Sequence, residues 1–507
     1  MRLTTVSAFL LVACGSGTPA PEFSSSSSTI LLDGDRLWVT SPDDDALVAI
    51  DPESLEEIER IDLAGAPTQL ARVGDALVVT LELAGEIAWI ESDVRRVSIP
   101  CGGSRAVVAL PSGSALVSCP SDDRLVEVNA SGVVGVTPMN GRPTALAVSG
   151  DELYVTASLR GVVRSGAIEE VLDGGGDELR VEDEPGFAAS QLDVLGASPE
   201  GDVVAAYQRV DHDSDRDRPA DRGGYGSVVD GEPRIEPRIL APCGGRYARF
   251  DGGAEVFSGP SAIAMARDRL WVVNQYTDDV ALVRCSSSSG LSGPTSRRAE
   301  VLATFRLGRG PRGIALSEDG STAWVDVGFD HAVARLDAEG RGVVDPIARR
   351  RSLGDTRLSA IALRGRNLFH DADDIHLTPS GIVTCATCHP GGGEDGLSWF
   401  LHTPGVARKL RRTPPAWGAR ASFLPFHWDG EFDDAAVLSG TTIRELMEGD
   451  GLLIELDAIA AYMAEVAPPM PRLPDDAAQA ERGAQVFQDA GCADCHAGGG
   501  SDGLAHR

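Results

Sequence analysis

The sequence predicts a multidomain protein in which an all-β seven-bladed propeller is followed by an all-α part. Three observations lead to this prediction. A strand-like repeat runs through roughly the first 345 residues, and helical spacing of apolar residues replaces it afterwards. Third, the helical part contains two Cys-x-x-Cys-His motifs, which indicate what that part binds. The chain has 507 residues, of which 42% are hydrophobic, enough to build several domain cores.

The first residues predict export and lipid attachment. One arginine is followed by a short apolar run that ends in Leu-Val-Ala-Cys at residues 11–14. The run is too short to span a bilayer, and its end resembles the lipobox of bacterial lipoproteins. We therefore expect a signal peptide over residues 1–13, a lipid on Cys14, and a flexible serine-rich tether over residues 14–28. A plain secretory signal is the alternative.

Export has consequences for location and for cysteine chemistry. The chain is expected in the periplasm or cell envelope of a bacterium, held to the membrane by its lipid anchor only. An oxidising compartment permits disulfides. The tetrapeptide Pro-Cys-Gly-Gly surrounds both Cys101 and Cys243, so we expect the pairs Cys101–Cys119 and Cys243–Cys285. The alternative is that these four cysteines are small buried residues.

A short strand-like core recurs seven times in the first part of the chain. The cores lie at residues 36–40, 76–80, 115–119, 152–156, 202–207, 269–274 and 322–327. They are rich in β-branched and apolar residues, and Gly and Asp turns bound them. The early spacing of about 40 residues is typical of propeller blades, so we predict about seven blades over residues 29–350. Residues 307–337 resemble the YVTN-type propeller repeat.

The chain after the propeller predicts helices at residues 357–372, 454–466 and 475–490. The first and last of these contain matched segments, RGRNLFHDA and RGAQVFQDA, each shortly before a Cys-x-x-Cys-His motif. Phe369 and Phe487 occupy the same position in the two segments. The sequence therefore predicts two related modules, each with an aromatic residue placed to pack near its motif.

The two Cys-x-x-Cys-His motifs predict covalent haem c at two sites. They consist of Cys385, Cys388 and His389, and of Cys492, Cys495 and His496. Two thiols at this spacing form thioethers with one porphyrin, and the adjacent histidine coordinates the iron as the proximal ligand. A redox dithiol or a zinc site is the alternative. A redox dithiol of the thioredoxin type would follow a strand in a βαβ unit, and the sequence shows no such unit here. A zinc site would need both cysteine pairs to converge.

The motifs divide the helical part into two cytochrome c-like regions. We assign residues 351–470 to a first haem domain and residues 471–507 to the start of a second, truncated one. A cytochrome c module normally continues for several helices after its motif and supplies a sixth iron ligand. The sequence continues for only eleven residues after His496, so we expect the second site to be incomplete or exposed.

The region from Arg364 onward resembles the bacterial di-haem cytochrome c peroxidase/MauG family. The resemblance rests on the first motif, on RRTPPAWGARASFLPFHWDGEFDD at residues 411–434, and on the second motif. Proteins that join a YVTN-like propeller to such a module are also similar to this chain. The resemblance implies that the first haem binds peroxide and that the second receives electrons from a donor.

The resemblance also implies roles for individual side chains. His402 matches the distal histidine that caps the first haem, with His427 as a second axial candidate, and Trp428 matches the tryptophan between the two haems. Glu445 and Glu448 both lie near the position of the acid/base that helps to cleave the O–O bond, and the sequence does not choose between them. An ordinary core or surface residue is the alternative for each.

We therefore expect an exported di-haem c-type cytochrome that transfers electrons and has peroxidase activity at the first haem. Its partners would be hydrogen peroxide and a small redox protein or other electron donor. The net charge of −31 argues against nucleic acid as a partner. Two alternatives remain: a non-catalytic electron-transfer cytochrome with both irons fully ligated, and a propeller-based binding protein with a vestigial haem region.

Overall fold

The structure is a computed structural model, and it describes most of the chain from residue 24 to residue 494. The described residues are 24–182, 186–197, 203–211, 228–229, 232–233, 235–242, 247–250, 258–266, 269–285, 299–337, 343–349, 357–401, 409–417, 424–427, 430–468 and 477–494.

Seven antiparallel sheets follow one another along the chain and form the blades of a propeller. The strand before the blades is β1 (Ser24–Ser26). Blade 1 contains β2 (Ile30–Asp33), β3 (Arg36–Ser41), β4 (Ala46–Ile50) and β5 (Glu57–Asp62). Blade 2 contains β6 (Pro67–Val73), β7 (Ala76–Leu81), β8 (Glu86–Ile90) and β9 (Val94–Ser98). Blade 3 contains β10 (Val107–Ala109), β11 (Ala115–Cys119), β12 (Arg124–Asn129) and β13 (Gly132–Pro138).

The remaining four blades follow the same order. Blade 4 contains β14 (Pro143–Ser149), β15 (Glu152–Ala157), β16 (Val162–Ala167), helix α1 (Ile168–Leu172) and β17 (Asp177–Arg180). Blade 5 contains β18 (Phe187–Ala197), β19 (Val203–Asp211), the small ladder of β20 (Val228–Val229) and β21 (Glu232–Pro233), β22 (Ile235–Pro242) and β23 (Tyr247–Phe250). Blade 6 contains β24 (Pro260–Ala266), β25 (Arg269–Asn274), β26 (Asp279–Cys285) and β27 (Ala299–Arg306). Blade 7 contains β28 (Pro311–Leu316), β29 (Thr322–Val327), β30 (Ala332–Asp337) and β31 (Val343–Arg349).

The seven predicted strand cores all lie in the second strand of a blade, which confirms the seven-bladed propeller. These strands are almost entirely buried because each blade packs between two others, and this explains their continuous apolar runs. The first strands of adjacent blades contact one another around a closed ring, with β28 meeting β2. Thr29 and Trp324 reinforce this closure: Thr29 Oγ1 donates to Asp326 Oδ2 (2.8 Å), and Trp324 Nε1 donates to the carbonyl oxygen of Pro52 (2.9 Å).

The first strand that the structure describes, β1, lies inside the ring and pairs with the inner edge of β14, with Ser24 opposite Ser149 and Ser26 opposite Ala147. The hydroxyls of Ser25 and Ser27 accept hydrogen bonds from backbone amides of β10. The tether predicted at residues 14–28 is therefore ordered from residue 24 onward, because the inner edge of a blade offers unpaired backbone groups. Residues 14–23 lie outside the described part. A cavity of about 260 Å³ remains beside β1.

A disulfide joins Cys101, in the connection between blades 2 and 3, to Cys119 at the end of β11. This is one of the two expected pairs. Cys243 lies outside the described residues, so its pairing with Cys285 stays a prediction.

The chain after the propeller forms a smaller unit, residues 357–468, which we call the first module. It contains α2 (Ala360–Phe369), α3 (Cys385–Cys388), β32 (Ser398–Leu401), β33 (Lys409–Arg412), α4 (Ala435–Glu445) and α5 (Leu456–Glu465). We predicted a purely helical unit, but the β32–β33 hairpin shows that it also contains strands. Its two strands pair antiparallel, with Trp399 opposite Arg411, and Trp399 is buried in the module core. Helix α6 (Ala477–Asp489) follows the first module.

The first module rests on one face of the propeller, which we call the upper face. This face is formed by the turns between second and third strands and by the connections between blades. Tyr276 from the upper face joins the hydrophobic core of the first module, together with Val210 and Ile235 of blade 5. The described residues contain no helix with the length and apolar character needed to cross a membrane.

Candidate functional site

The first Cys-x-x-Cys-His motif forms a single helical turn inside the core of the first module. Cys385 and Cys388 are the ends of α3, and the amide of His389 donates to the carbonyl oxygen of Cys385 (2.9 Å). The turn begins at Thr384, whose amide donates to Thr387 Oγ1 (2.9 Å). Both cysteines are half-buried and pack against the core. The helical turn therefore presents both thiols and the histidine within one short segment.

The imidazole of His389 is held in the tautomer that a metal ligand requires. Its Nδ1 lies 3.1 Å from the carbonyl oxygen of Gly393. A carbonyl oxygen only accepts hydrogen bonds, so Nδ1 carries the proton and Nε2 keeps its lone pair. Burial lowers the pKa of His389, and backbone contacts with Gly393 and Pro414 and the charge of Asp395 offset this only in part. The fold therefore favours the neutral ring.

A glycine loop brings the Gly393 carbonyl back to the histidine ring. Gly391 and Gly392 have φ angles of 59° and 77°, in the left-handed region that glycine adopts without strain. A Cβ atom on Gly393 would lie 2.5 Å from Cζ3 of Trp417, so that position has no room for a side chain. The amide of Trp417 also donates to the carbonyl oxygen of Gly392 (2.8 Å). The Thr-Pro-Pro-Ala-Trp segment thereby closes the loop over His389.

Two further residues shape the surroundings of His389. The Phe369 ring, 1% exposed, lies 6.4 Å from the His389 ring, centroid to centroid. Asp395 is 8% exposed and accepts a hydrogen bond from Trp399 Nε1 (2.9 Å). Burial raises the pKa of Asp395. Phe369, which we expected to pack near the first motif, is thus a core residue beside His389.

The chemistry of the thiols separates two of the alternatives. Burial raises the pKa of Cys385 to about 12. A redox-active dithiol needs a cysteine whose pKa is lowered, so that the thiolate forms near neutral pH. Two thiols and one imidazole in one turn are the side chains that haem c uses, with the thiols as thioethers and the imidazole as the protein ligand, and the presence of haem here stays a prediction.

The roles predicted for the acid/base candidates and for the axial histidines stay predictions. Glu445, at the end of α4, and Glu448 are both exposed. His427 is half-buried, and its Nδ1 forms a hydrogen bond with Glu431 Oε1 (2.5 Å) while its ring packs against Phe432. The Nδ1 atom of His427 is therefore paired with a carboxylate. His402 and Trp428 lie outside the described residues, so their roles stay predictions.

The second motif has a different environment. Helix α6 precedes it, as predicted, but no residue of that helix is buried, and Phe487 is 39% exposed. Cys492 is exposed in a short turn after the helix, while Cys495 and His496 lie outside the described residues. The two matched sequence segments therefore differ in burial, although both are helical.

Several residues of the site were not found by sequence reasoning. Gly393, Asp395 and Trp417 hold the His389 ring or its loop, and Gln191 and Tyr276 reach α3 from the propeller. Only the run of three glycines after His389 carried a signal, since glycine runs mark turns. The contacts from the propeller connect residues that are far apart in the sequence, and no local pattern announces them.

Comparison with solved structures finds similarities of low sequence identity and with TM-scores below 0.5. The structure of Kuenenia stuttgartiensis hydrazine synthase matches with 16% identity and a TM-score of 0.49, over 65% of this chain and 99% of that one. Virginiamycin B lyase from Staphylococcus aureus matches with 13% identity and a TM-score of 0.41, over 59% of this chain and 91% of that one. No protein-family model matches the sequence. No curated protein matches it significantly. At these values the similarities carry no argument about activity or ligand.

Proposed function

We propose that this protein is an exported c-type cytochrome that carries haem at its two motifs and transfers single electrons. The observation that supports it best is the helical turn that presents Cys385, Cys388 and His389 together, with a hydrogen bond from His389 Nδ1 to the carbonyl oxygen of Gly393. When bound, the haem supplies an iron that alternates between the ferric and ferrous states.

The residues of the chain have separate tasks in this proposal. Cys385 and Cys388 hold the porphyrin covalently, and His389 Nε2 binds the iron. The carbonyl of Gly393 fixes the orientation of the imidazole and increases its basicity, as outer hydrogen-bond partners of metal-bound histidines do. Phe369 excludes water from one side of the ring. The neutral histidine removes the need to displace a proton when the iron binds.

Reduction of hydrogen peroxide is the second candidate function. It is favoured by the Thr-Pro-Pro-Ala-Trp segment, which carries part of the family resemblance and packs on the loop after His389 through Trp417. The reaction takes two electrons and two protons and releases two water molecules. A small redox protein would supply the electrons. Glu445 and Glu448 are exposed, which leaves the acid that protonates the peroxide oxygen unassigned.

Haem stoichiometry tests the primary proposal. The chain is expressed with a cytochrome c maturation system, and covalent haem is quantified as the pyridine haemochrome. We expect two haems per chain, and one in each of the variants Cys385→Ser/Cys388→Ser and Cys492→Ser/Cys495→Ser. Absence of covalent haem from the unmutated chain would overturn the proposal. A single haem lost only with the first pair would restrict it to the first motif.

Peroxide turnover tests the second candidate. The partially reduced protein is mixed with hydrogen peroxide, and oxidation of a reduced cytochrome c donor is followed optically. We expect donor oxidation at a stoichiometry of two electrons per peroxide. A protein that binds haem but neither changes its spectrum nor oxidises the donor is an electron carrier only.

We also propose that the chain is lipid-anchored in the bacterial periplasm or cell envelope. The Cys101–Cys119 disulfide supports export, because such bonds persist in oxidising compartments. Cell fractionation with the Cys14→Ala variant tests the anchor. We expect the unmutated protein in the membrane fraction and the variant in a soluble exported or unprocessed form. Equal membrane association of both, with the signal peptide removed from the variant, would contradict lipidation at Cys14.

A further inference from the structure

Side chains of the propeller bind the backbone of the first haem-attachment motif. Gln191 Nε2 donates to the carbonyl oxygens of Ala386 (2.8 Å) and Thr387 (2.9 Å). The hydroxyl of Tyr276 donates to the same Ala386 oxygen (3.1 Å). Farther along the segment, Arg142 Nη1 donates to the carbonyl oxygen of Glu394 (3.0 Å). The upper face of the propeller therefore holds the segment on both sides of His389.

The carbonyl groups of Ala386 and Thr387 are a chemically sensitive place for these contacts. They are at the end of α3, where carbonyl oxygens have no partner within the helix and carry its partial negative charge. His389 follows directly. Donors at this position offset the negative end of the helix beside the expected iron, and they prevent α3 from rotating.

Both donors are built for this contact. Gln191 has a φ angle of +50°, unusual for a residue with a side chain, and it lies where the β18–β19 register shifts between Ser190 and Val194. Such irregularities in a strand re-aim a side chain. Tyr276 is 5% exposed, and burial raises its pKa, so its hydroxyl keeps its proton and donates at neutral pH. Its own carbonyl oxygen accepts from the amide of Ala372 (2.8 Å), which ties the module to the same turn.

We propose that the propeller is part of the first haem site, with Gln191 and Tyr276 as positioning residues that hold α3 and, through it, the ring of His389. This inference rests on the proposed function, since it assumes haem at the first motif. It assigns the propeller a role in setting the reduction potential of that haem. Loss of either donor leaves the helix end more negative, which favours the ferric iron and lowers the midpoint potential.

The test compares isosteric variants in a background with only the first motif, Cys492→Ser/Cys495→Ser. Gln191→Glu and Tyr276→Phe remove the donors and keep the side-chain volumes. Tyr154→Phe is the matched control, because that hydroxyl donates to Glu152 within blade 4. Optical redox titration should show a lower midpoint potential for the first two variants, largest for Gln191→Glu, and the unmutated value for the control.

A second measurement does not depend on haem. Hydrogen exchange of residues 382–394 is compared in the Cys385→Ser/Cys388→Ser background with the same three substitutions. We expect exchange on the order of tenfold faster for Gln191→Glu and Tyr276→Phe, with unchanged exchange in blades 1–3. Unchanged exchange in residues 382–394 would overturn the inference, and so would midpoint potentials equal to that of the control. Absence of haem from the unmutated chain would instead overturn the proposed function.

Discussion

Gly365 of α2 crosses α5 at Ala458, so closely that a Cβ atom on Gly365 would lie 1.8 Å from the carbonyl oxygen of Ala458. The Gly365→Ala variant must therefore separate the two helices. We expect the free energy of unfolding to fall by about 3 kcal/mol. Phe369, on the same helix, should move away from the His389 ring. Urea unfolding followed by circular dichroism measures the loss.

The chain contains a matched control for this substitution. Gly483 occupies the equivalent position in α6, and no atom lies within 4 Å of a Cβ built there. Gly483→Ala should leave the unfolding of the first module unchanged, while alanine favours helix over glycine by about 1 kcal/mol. Equal destabilisation by both variants would show that helix crossing is not the cause.

The ion pair between Asp43 and Arg366 links blade 1 to the first module, with 2.5 Å between Asp43 Oδ2 and Arg366 Nη1. Burial raises the pKa of Asp43, but the charge and hydrogen bond of Arg366 outweigh it and hold this pKa below its usual value. Removing Arg366 leaves the half-buried carboxylate of Asp43 without its nearest charged partner, although His331 Nε2 still lies 3.5 Å from it. Arg366→Met should therefore destabilise the protein by about 3 kcal/mol.

A double-mutant cycle isolates this interaction. Asp43→Asn in the Arg366→Met background removes a carboxylate that has lost its nearest partner and should recover part of the loss. The coupling energy is obtained from urea unfolding of the four proteins at pH 7.5. Strictly additive effects of the two substitutions on the free energy of unfolding would show that this pair does not couple the propeller to the module.

The burial of His370 leads us to predict that the free energy of unfolding depends on pH. Four aromatic rings surround it, including those of Tyr276 and Phe329 from the propeller, and burial lowers its pKa from 6.5 to about 4. The folded protein therefore disfavours the charged ring, and the unfolded chain binds more protons between these values. The stability from His370 is complete above pH 6.5, and about 3 kcal/mol should be lost as the pH falls to about 4.

The measurement is the slope of unfolding free energy with pH, compared between the unmutated protein and His370→Phe. The variant keeps an aromatic ring in the cage, so its slope between pH 6.5 and 4 should be shallower even if its absolute stability is lower. The carboxyls with raised pKa values titrate in an overlapping range with the opposite sign, and they cancel in this comparison. Parallel slopes would contradict a buried neutral His370.

For Asp278, on the upper face, we predict a pH dependence of stability with the opposite sign. Burial raises its pKa from 3.8 to about 6, with a contribution from the charges of Asp371 and Asp373. The fold prefers the protonated carboxyl, so this stability is present below pH 3.8 and is lost as the pH rises through 6. Asp278→Asn retains an acceptor for the amide of Gly310 and tolerates the φ of 55°. It should raise stability by about 1–2 kcal/mol at pH 7.5.

Thermal unfolding at pH 4 and pH 7.5 checks this prediction, because the gain should disappear at the lower pH. Asp319 provides a control of opposite sign. Hydrogen bonds from Ser321 and Ser317 lower its pKa to about 2, so Asp319→Asn should lower the Tm at pH 7.5. A lower Tm for Asp278→Asn at pH 7.5 would contradict the burial of an unfavourable charge.

The Cys101–Cys119 disulfide closes a short loop, with a sequence separation of 18 residues. Its loss should lower the free energy of unfolding by about 3 kcal/mol, mainly through the greater freedom of the unfolded chain. The variant Cys101→Ala/Cys119→Ala and the unmutated protein treated with reductant should show similar decreases in urea unfolding. No difference between oxidised and reduced protein would contradict a stabilising role of this bond.

Sequence patterns were informative where structure follows from local chemistry. The second strand of each blade is buried on both faces, so residues 322–327 read as an apolar run and form β29. The irregular pairing at Gln191 left no such pattern, because it depends on which residues of β18 and β19 face each other. The same holds for the ordered serines of β1, which pair with a strand of blade 4 rather than with neighbours in the sequence.

The amino-acid sequence alone was enough to predict the repeat, the change to helices, and the spacing of two thiols and a histidine at each motif. These features are local, since each is encoded within a few consecutive residues or a fixed period. Only the tertiary structure decided which matched helix is buried: Phe369 is 1% exposed and Phe487 39%. The two segments differ because α5 and the upper face of the propeller cover the first of them, and burial depends on what packs against a helix.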